Sequence, residues 1–213
     1  MIFFHTVPGF IKRIFNQYVW HIPSIDKCIY LTFDDGPIPE ITEFVLEELA
    51  KHNAKATFFC VGENIYKHPH IFKKIIDQNH AFGNHTYNHL KGWQVSNEVY
   101  FQNIEKFEHE VQKSGQQTAL FRPPYGRISN SQAKYLSEKY KIVMWDVLTC
   151  DYDKRLKEDI CLQKAIKYTK PGSIVLFHDS IKAEKNLRYV LPKYLAHFSS
   201  LGFVFKPINA NVL

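Results

Sequence analysis

The chain has 213 residues, 45% of them hydrophobic, and a formal net charge of +6 from 27 basic and 21 acidic side chains. That content suits one domain with a sizeable core, and no stretch approaches the roughly 18 unbroken apolar residues that a membrane span requires. Lys and Arg are spread along the chain without a block, and no nucleic-acid motif accompanies them, so nucleic-acid binding finds no support.

The N-terminus, residues 1–27, reads as an extension or a helix packed on the domain that follows, 28–213. It mixes apolar residues with His5, Lys12, Arg13 and Gln17 and lacks the apolar run of a secretory signal. Phe10, Ile11, Phe15 and Val19 could form one face of a short amphipathic helix that packs on the domain; contact with a membrane surface is the lesser alternative. Strand-length apolar runs then recur at 28–34, 55–61, 80–84, 119–122, 141–147, 173–178 and 203–206. Several are continuous, as in Ile142–Trp145 and Ile174–Phe177, which fits strands buried on both faces of a parallel sheet. Between them lie amphipathic stripes such as Ile41, Phe44, Val45 and Leu49, and Leu187, Val190, Leu191 and Leu195. Ser96 and Ser129 suit helix N-caps, Gly115 suits a helix stop, and 96–114 reads as the longest helix. The repeating βα unit predicts an α/β fold: a single distorted (β/α) barrel of about seven parallel strands, favoured over an open sheet. Four cysteines, at 28, 60, 150 and 161, form no C-x-x-C pair, so a zinc–thiolate site is not expected and free thiols are. Those thiols and the missing export signal lean towards the cytoplasm, with membrane-surface association as the alternative. A monomer is expected.

Reactive residues gather where the predicted strands end. The first strand closes in Asp34-Asp35-Gly36-Pro37, two carboxylates that a turn lets converge on one point. There one acid can hold a metal while the other moves a proton, although a surface turn would carry the same residues. His85 and His89, four apart, have a common ligand spacing for zinc-like ions, a weak signal alone. An Asp and these two His would make a three-ligand site with a position left open for water. Arg122-Pro-Pro-Tyr125-Gly126 stiffens the backbone as the next strand ends, fixing Arg122 and aiming the Tyr125 N–H. Trp145-Asp146 and Asp151-Tyr152 follow, and either Asp could be an ordinary loop residue. His178 closes the apolar run Ile174–Phe177, where Asp151, with Asp146 in reserve, could orient it. In parallel α/β barrels the loops after the strands share one face and form the active site.

Together these segments resemble the polysaccharide deacetylase family, also called the NodB-homology domain or carbohydrate esterase family 4. Thr32–Pro37, His85-Thr-x-x-His89, Arg122–Gly126 and Leu176-Phe-His178-Asp179 look like four of its motifs. Asp151-Tyr152 matches a fifth less well: the family usually has Asp-Trp there, with an acid where this chain has Leu148. The resemblance implies one divalent metal, most often Zn2+, with Co2+, Mn2+ or Ni2+ as alternatives, held by Asp35, His85 and His89. It implies Asp34 as general base, His178 as general acid, and Arg122 and Asp151 as the residues that position and tune them. The Tyr125 N–H would bind the oxyanion, Leu176 would line the acetyl-methyl pocket, and Trp145 belongs with the substrate-facing residues. The implied activity is removal of N-acetyl, or O-acetyl, groups from an amino-sugar glycan or glycoconjugate, releasing acetate. The compact chain leans towards a small or lipid-linked glycan. Two alternatives share the scaffold: a deformylase or other amide hydrolase of a lipid-linked amino sugar, and a catalytically silent glycan-binding relative. The presence of both Asp34 and His178 argues against the silent one.

Overall fold

A computed structural model of the chain describes residues 5–209. Eight strands run β1 Cys28–Asp34, β2 Ala56–Cys60, β3 Ala81–Asn84, β4 Leu120–Phe121, β5 Lys141–Ile142, β6 Val147–Leu148, β7 Ile174–His178 and β8 Val204–Phe205. Every pairing among them is parallel. The sheet order is β5-β4-β3-β2-β1-β7-β6, and β8 adds to the start of β1 through Cys28 and Ile29. The helices are α1 Gly9–Ile14, α2 Ile41–Lys51, α3 Gly62–Lys67, α4 Pro69–Asp77, α5 Asn97–Gln112, α6 Asn130–Leu136, α7 Glu158–Tyr168 and α8 Glu184–Ser200.

The sheet must curl, and the chain itself dictates it. Laid flat, seven strands about 4.8 Å apart would hold the two edges roughly 29 Å from each other. Yet edge strand β5 ends at Ile142 and the opposite edge strand β6 begins at Val147. Five Cα-to-Cα steps of about 3.8 Å reach at most about 19 Å. The result is the distorted (β/α) barrel that the βα repeat predicts.

β1 is buried along its whole length. Its alternation sends Ile29, Leu31 and Phe33 into the layer shared with α2 and α8, and Cys28 and Tyr30 into the barrel interior with Phe59 and Ile174. Phe33 stacks on Phe58 and Phe177 at ring separations of 5.1 and 5.7 Å. Thr32 and Asp34 share the parity of the interior residues, so polar groups line the barrel above an apolar floor. Helix faces follow the expected stripes: α2 buries Ile41, Val45 and Leu49, and α8 buries Leu187, Val190, Leu191 and Leu195. Ser96 caps α5 through the Val99 N–H, Ser129 forms a capping box with Gln132, and Gly115 takes φ 70° just past α5.

Three expectations change. The apolar run 141–147 is two short strands on opposite edges, because Val143–Asp146 crosses the gap between them. This run reads as one strand because Val143 and Met144 are buried all the same. The longest helix among the described residues is α8, at 17 residues against 16 for α5, since α8 accommodates Pro192 in its interior. The N-terminal helix ends at Ile14, so Phe10 (66% exposed) and Val19 do not share a helical face with Ile11 and Phe15. Val19 is instead extended and pairs with Val143. Residues 1–4 of that segment lie outside the described residues. No helix among the described residues is long and apolar enough to cross a membrane. All four cysteines are buried and free, as expected.

Candidate active site

The loops after the strands enclose a cavity of about 330 Å3. Asp34, Asp35, His85 and His89 line one part of it, and Tyr125, Trp145, Leu176 and His178 are among the residues that line the remainder. Arg122 and Asp151 stand behind this lining, each fully buried or nearly so and each bonded to a residue that reaches the cavity. All ten residues singled out in the sequence therefore meet in one place.

Strand register brings them together. Asp34 at the end of β1 pairs across the sheet with His178 at the end of β7. Asn84 pairs with Phe121, so the residues that follow them, His85 and Arg122, are neighbours. The Arg122 N–H donates to the Asn84 carbonyl, and the His85 ring returns the link: its Nδ1 lies 2.7 Å from the Arg122 carbonyl oxygen.

That contact fixes the His85 tautomer. A carbonyl only accepts, so Nδ1 carries the proton and Nε2 keeps its lone pair. Nε2 lies 3.8 Å from an oxygen of Asp34 and 3.8 Å from one of Asp35. His89 Nε2 is 3.3 Å from the same Asp35 oxygen. Ligand atoms of Asp35, His85 and His89 all lie within 4.8 Å of one another. Burial, reinforced by His89, pushes the His85 pKa down to about 3, so the ring stays neutral. One carboxylate oxygen and two imidazole nitrogens on one point, one ring pinned through its far nitrogen, fit a divalent ion of the zinc type. The His85–His89 spacing works here through a tight loop rather than a helix: Thr86 and His89 both take positive φ, 65° and 57°.

Asp35 (φ 83°) and Tyr125 (φ 61°) are also left-handed without being glycine. Such backbone is held where its surroundings enforce it, and among the described residues Asp35, His89 and Tyr125 carry it in the cavity wall. Gly36 is part of that enforcement. A Cβ there would meet the Asp179 carboxylate at 2.0 Å. Asp179 is wholly buried, accepts from the Gly36 N–H at 3.0 Å and from Thr42 Oγ1 at 2.6 Å, and so fixes the turn that carries Asp35. Burial pushes the Asp179 carboxyl up to about 8, with Asp35 adding to the effect.

Arg122 makes four side-chain hydrogen bonds. Its guanidinium reaches Asp34 at 2.7 Å, Thr32 Oγ1 at 2.8 Å, and the carbonyls of Val143 and Met144 at 3.0 and 2.7 Å. Its guanidinium carbon sits over Phe59, 4.1 Å from the ring centre. Asp151 grips His178 twice, accepting from its backbone N–H and bonding its Nδ1, both at 2.8 Å. Burial lowers the His178 pKa, but Asp151 outweighs it, aided by Asp35 and Asp34, and the value rises to about 9. Asp146, the reserve partner for His178, is engaged elsewhere, by Lys12, His21 and Ser173.

The roles of Thr32, Thr42 and Asp179 were not anticipated. The signal for Thr32 was present: a hydroxyl inside a fully buried strand must find partners, and it bonds Arg122 and the Val175 carbonyl. Leu148 and Tyr152, where the sequence departs from the family pattern, both line the cavity, and the Tyr152 ring meets the His178 ring edge-on at 5.0 Å.

A curled parallel barrel with a carboxylate and two histidines converging at its rim defines a class before any comparison: a (β/α) barrel with a candidate metal site. The polysaccharide deacetylase profile matches residues 21–144, and the chain belongs to that family. It is 40% identical over 165 residues to a peptidoglycan-N-acetylglucosamine deacetylase of Bacillus cereus. That match covers 76% of this chain and 60% of the relative, so the chain spans less than two thirds of that protein's length. A crystal structure of a peptidoglycan N-acetylglucosamine deacetylase matches over 95% of both chains, with a TM-score of 0.86 and 32% identity. A carbohydrate esterase family 4 pseudoenzyme from Bacillus anthracis is also similar, with a TM-score of 0.79 and 26% identity over 91% of this chain and 68% of its own.

Proposed function

We propose that this protein is a metal-dependent deacetylase that removes the N-acetyl group from an N-acetylglucosamine-type residue of a glycan, releasing acetate and a free amino sugar. The observation that carries the reading is the placement of two differently equipped proton-transfer groups beside one three-ligand site. Asp34 is backed by Arg122 and His178 by Asp151, in the same cavity as Asp35, His85 and His89. The names of the relatives support the choice of sugar, and the family supports a divalent metal, for which zinc is the proposed ion.

Bound by Asp35, His85 and His89, such an ion supplies two things: a water of lowered pKa and a polarised acetamide carbonyl. Asp34, held in place by Arg122, takes a proton from the water as the new C–O bond forms. The Tyr125 N–H, set by its left-handed backbone, donates to the oxyanion that develops on the carbonyl oxygen. As the C–N bond breaks, His178 gives its Nε2 proton to the departing amine, while Asp151 keeps Nδ1 and stabilises the imidazolium. Leu176 bounds the space for the acetyl methyl, and Trp145 and Tyr152 supply ring surface for the sugar.

The test is acetate release by the zinc-loaded protein from N-acetylglucosamine oligomers and peptidoglycan fragments, beside matched N-formyl sugars. Acetate released by the wild type and not by Asp34→Asn supports the reading. Formate release without acetate release would move the protein to the deformylase alternative, and failure on every substrate would favour a silent relative.

A further inference from the structure

Residues 5–21 do more than cover the barrel. They lie along the one place where the sheet is not closed by strand pairing, the crossing Val143–Asp146 between β5 and β6. Thr6 pairs with Val147, Val19 with Val143, and His21 with Ser173. The Leu148 N–H donates to the His5 carbonyl at 2.9 Å, the Met144 N–H to Val19 at 2.8 Å, and the Val19 N–H to Ile142 at 2.9 Å. Tyr18 and Trp20 pack in one apolar cluster with Met144.

A polar clasp secures the segment. Asp146 is 2% exposed, and its carboxylate takes an ion pair from Lys12, a bond from His21 at 3.2 Å and one from Ser173 Oγ at 3.0 Å. These partners outweigh burial and hold the Asp146 pKa down at about 2. A charge buried this deeply and this fully partnered is costly to expose and costly to leave alone.

The opposite side of the same crossing serves the cavity. Two of Arg122's acceptors are the Val143 and Met144 carbonyls, and Trp145 and Leu148 form part of the cavity wall. The guanidinium that holds Asp34 is thus anchored to backbone that residues 5–21 hold at the Met144 and Leu148 N–H groups, while the Val143 N–H donates to Phe121 and the Asp146 N–H to Ile174.

We infer that residues 5–21 are a positioning strap for the active site, clasped at Asp146 by Lys12 and His21, which sets the 143–148 backbone and through it Arg122, Asp34 and the Trp145 wall. Lys12, His21 and Asp146 are positioning residues in this scheme; none of them touches the substrate.

The inference rests on the deacetylase reading for its kinetic arm and stands apart from it for its structural arm. Asp146→Asn, the double variant Lys12→Ala/His21→Ala, and the conservative Lys12→Arg are compared with the wild type as zinc-loaded full chains. Hydrogen–deuterium exchange is followed in peptides covering 5–21, 118–125 and 141–148, and kcat and KM are measured for acetate release. The strap predicts that exchange rises together in all three regions in the first two variants. It also predicts a kcat about 10- to 100-fold lower, as expected for a catalytic group displaced by a fraction of an ångström to an ångström, with KM and zinc content little changed. Lys12→Arg should stay close to the wild type in both. Exchange that rises in 5–21 alone, or a normal kcat once 5–21 is released, would overturn the inference. If the double variant does not fold, Lys12→Ala alone takes its place. A wild type that releases no acetate defeats the deacetylase reading, while the exchange pattern still decides whether the strap holds the region around Arg122.

Discussion

Arg122 Nη1 lies 2.7 Å from Asp34 Oδ1, and neither side chain has meaningful access to solvent. The guanidinium is wholly buried, and its pKa is lowered by burial even with Asp34 beside it. Removing one partner of such a pair strands the other charge at a cost of about 3–5 kcal/mol. Arg122→Ala should therefore unfold at much lower denaturant concentration than the wild type. Arg122→Lys keeps the charge but loses the planar fork that serves four acceptors. It should fold and lose about 100-fold in kcat. Near-normal turnover in a folded Arg122→Lys would show that Asp34 does not depend on this pair.

Asp34 and Asp35 are adjacent yet do different jobs in the proposed mechanism. Asp34→Asn should abolish turnover, a loss of about 10²- to 10⁴-fold for a missing general base, while zinc content by elemental analysis stays at one per chain. Turnover that survives the change would assign proton removal to another group.

The His178–Asp151 pair makes a pH prediction. The acid works while protonated, so its contribution is present below its pKa and lost as pH rises through about 9. In Asp151→Asn the main counter-ion is gone, and burial is opposed only by Asp35 and Asp34. The alkaline limb of kcat/KM should then move to lower pH. His178→Ala should lose most of its rate on amides and less on an acetyl ester, whose leaving group needs little protonation. An unmoved limb together with equal losses on both substrates would make His178 an orienting group.

Gly36 tests the support of the turn. The Cβ of Gly36→Ala would overlap the Asp179 carboxylate, which is buried and tied to Thr42. Overpacking of this kind costs about 1–3 kcal/mol, and the displaced turn carries Asp35. Both the thermal midpoint and zinc affinity should fall; a variant equal to the wild type in both would mean that the turn adapts without cost.

Much of this was legible in the chain. Strand β1 announced itself by a run of apolar residues ending in two acids, and the rule that loops after parallel strands share a face was enough to gather residues as distant as Asp34 and His178. The split of 141–147 was not legible, because burial and strand pairing leave the same apolar pattern: Met144 is covered by Tyr18 and Trp20, and Val143 by the barrel interior and Val19, rather than by two neighbouring strands. Asp146 was misread as a reserve partner for His178 for a related reason. Its partners, Lys12 and His21, lie more than 120 residues earlier, and nothing local in the sequence points to them. Asp179 illustrates the same limit: its place next to His178 was visible, but its hold on Gly36, just past the neighbouring strand β1, was not.

The central claim is that Asp35, His85 and His89 hold a metal on which deacetylation depends. Acetate release from an N-acetylglucosamine oligomer, measured after the protein is stripped with a chelator and again as zinc is returned stepwise, tests it most directly. The account predicts that activity falls to background, returns fully at one zinc per chain, and does not return in His85→Ala or His89→Ala. Turnover that persists in the stripped protein, or equal recovery in the two histidine variants, would contradict it.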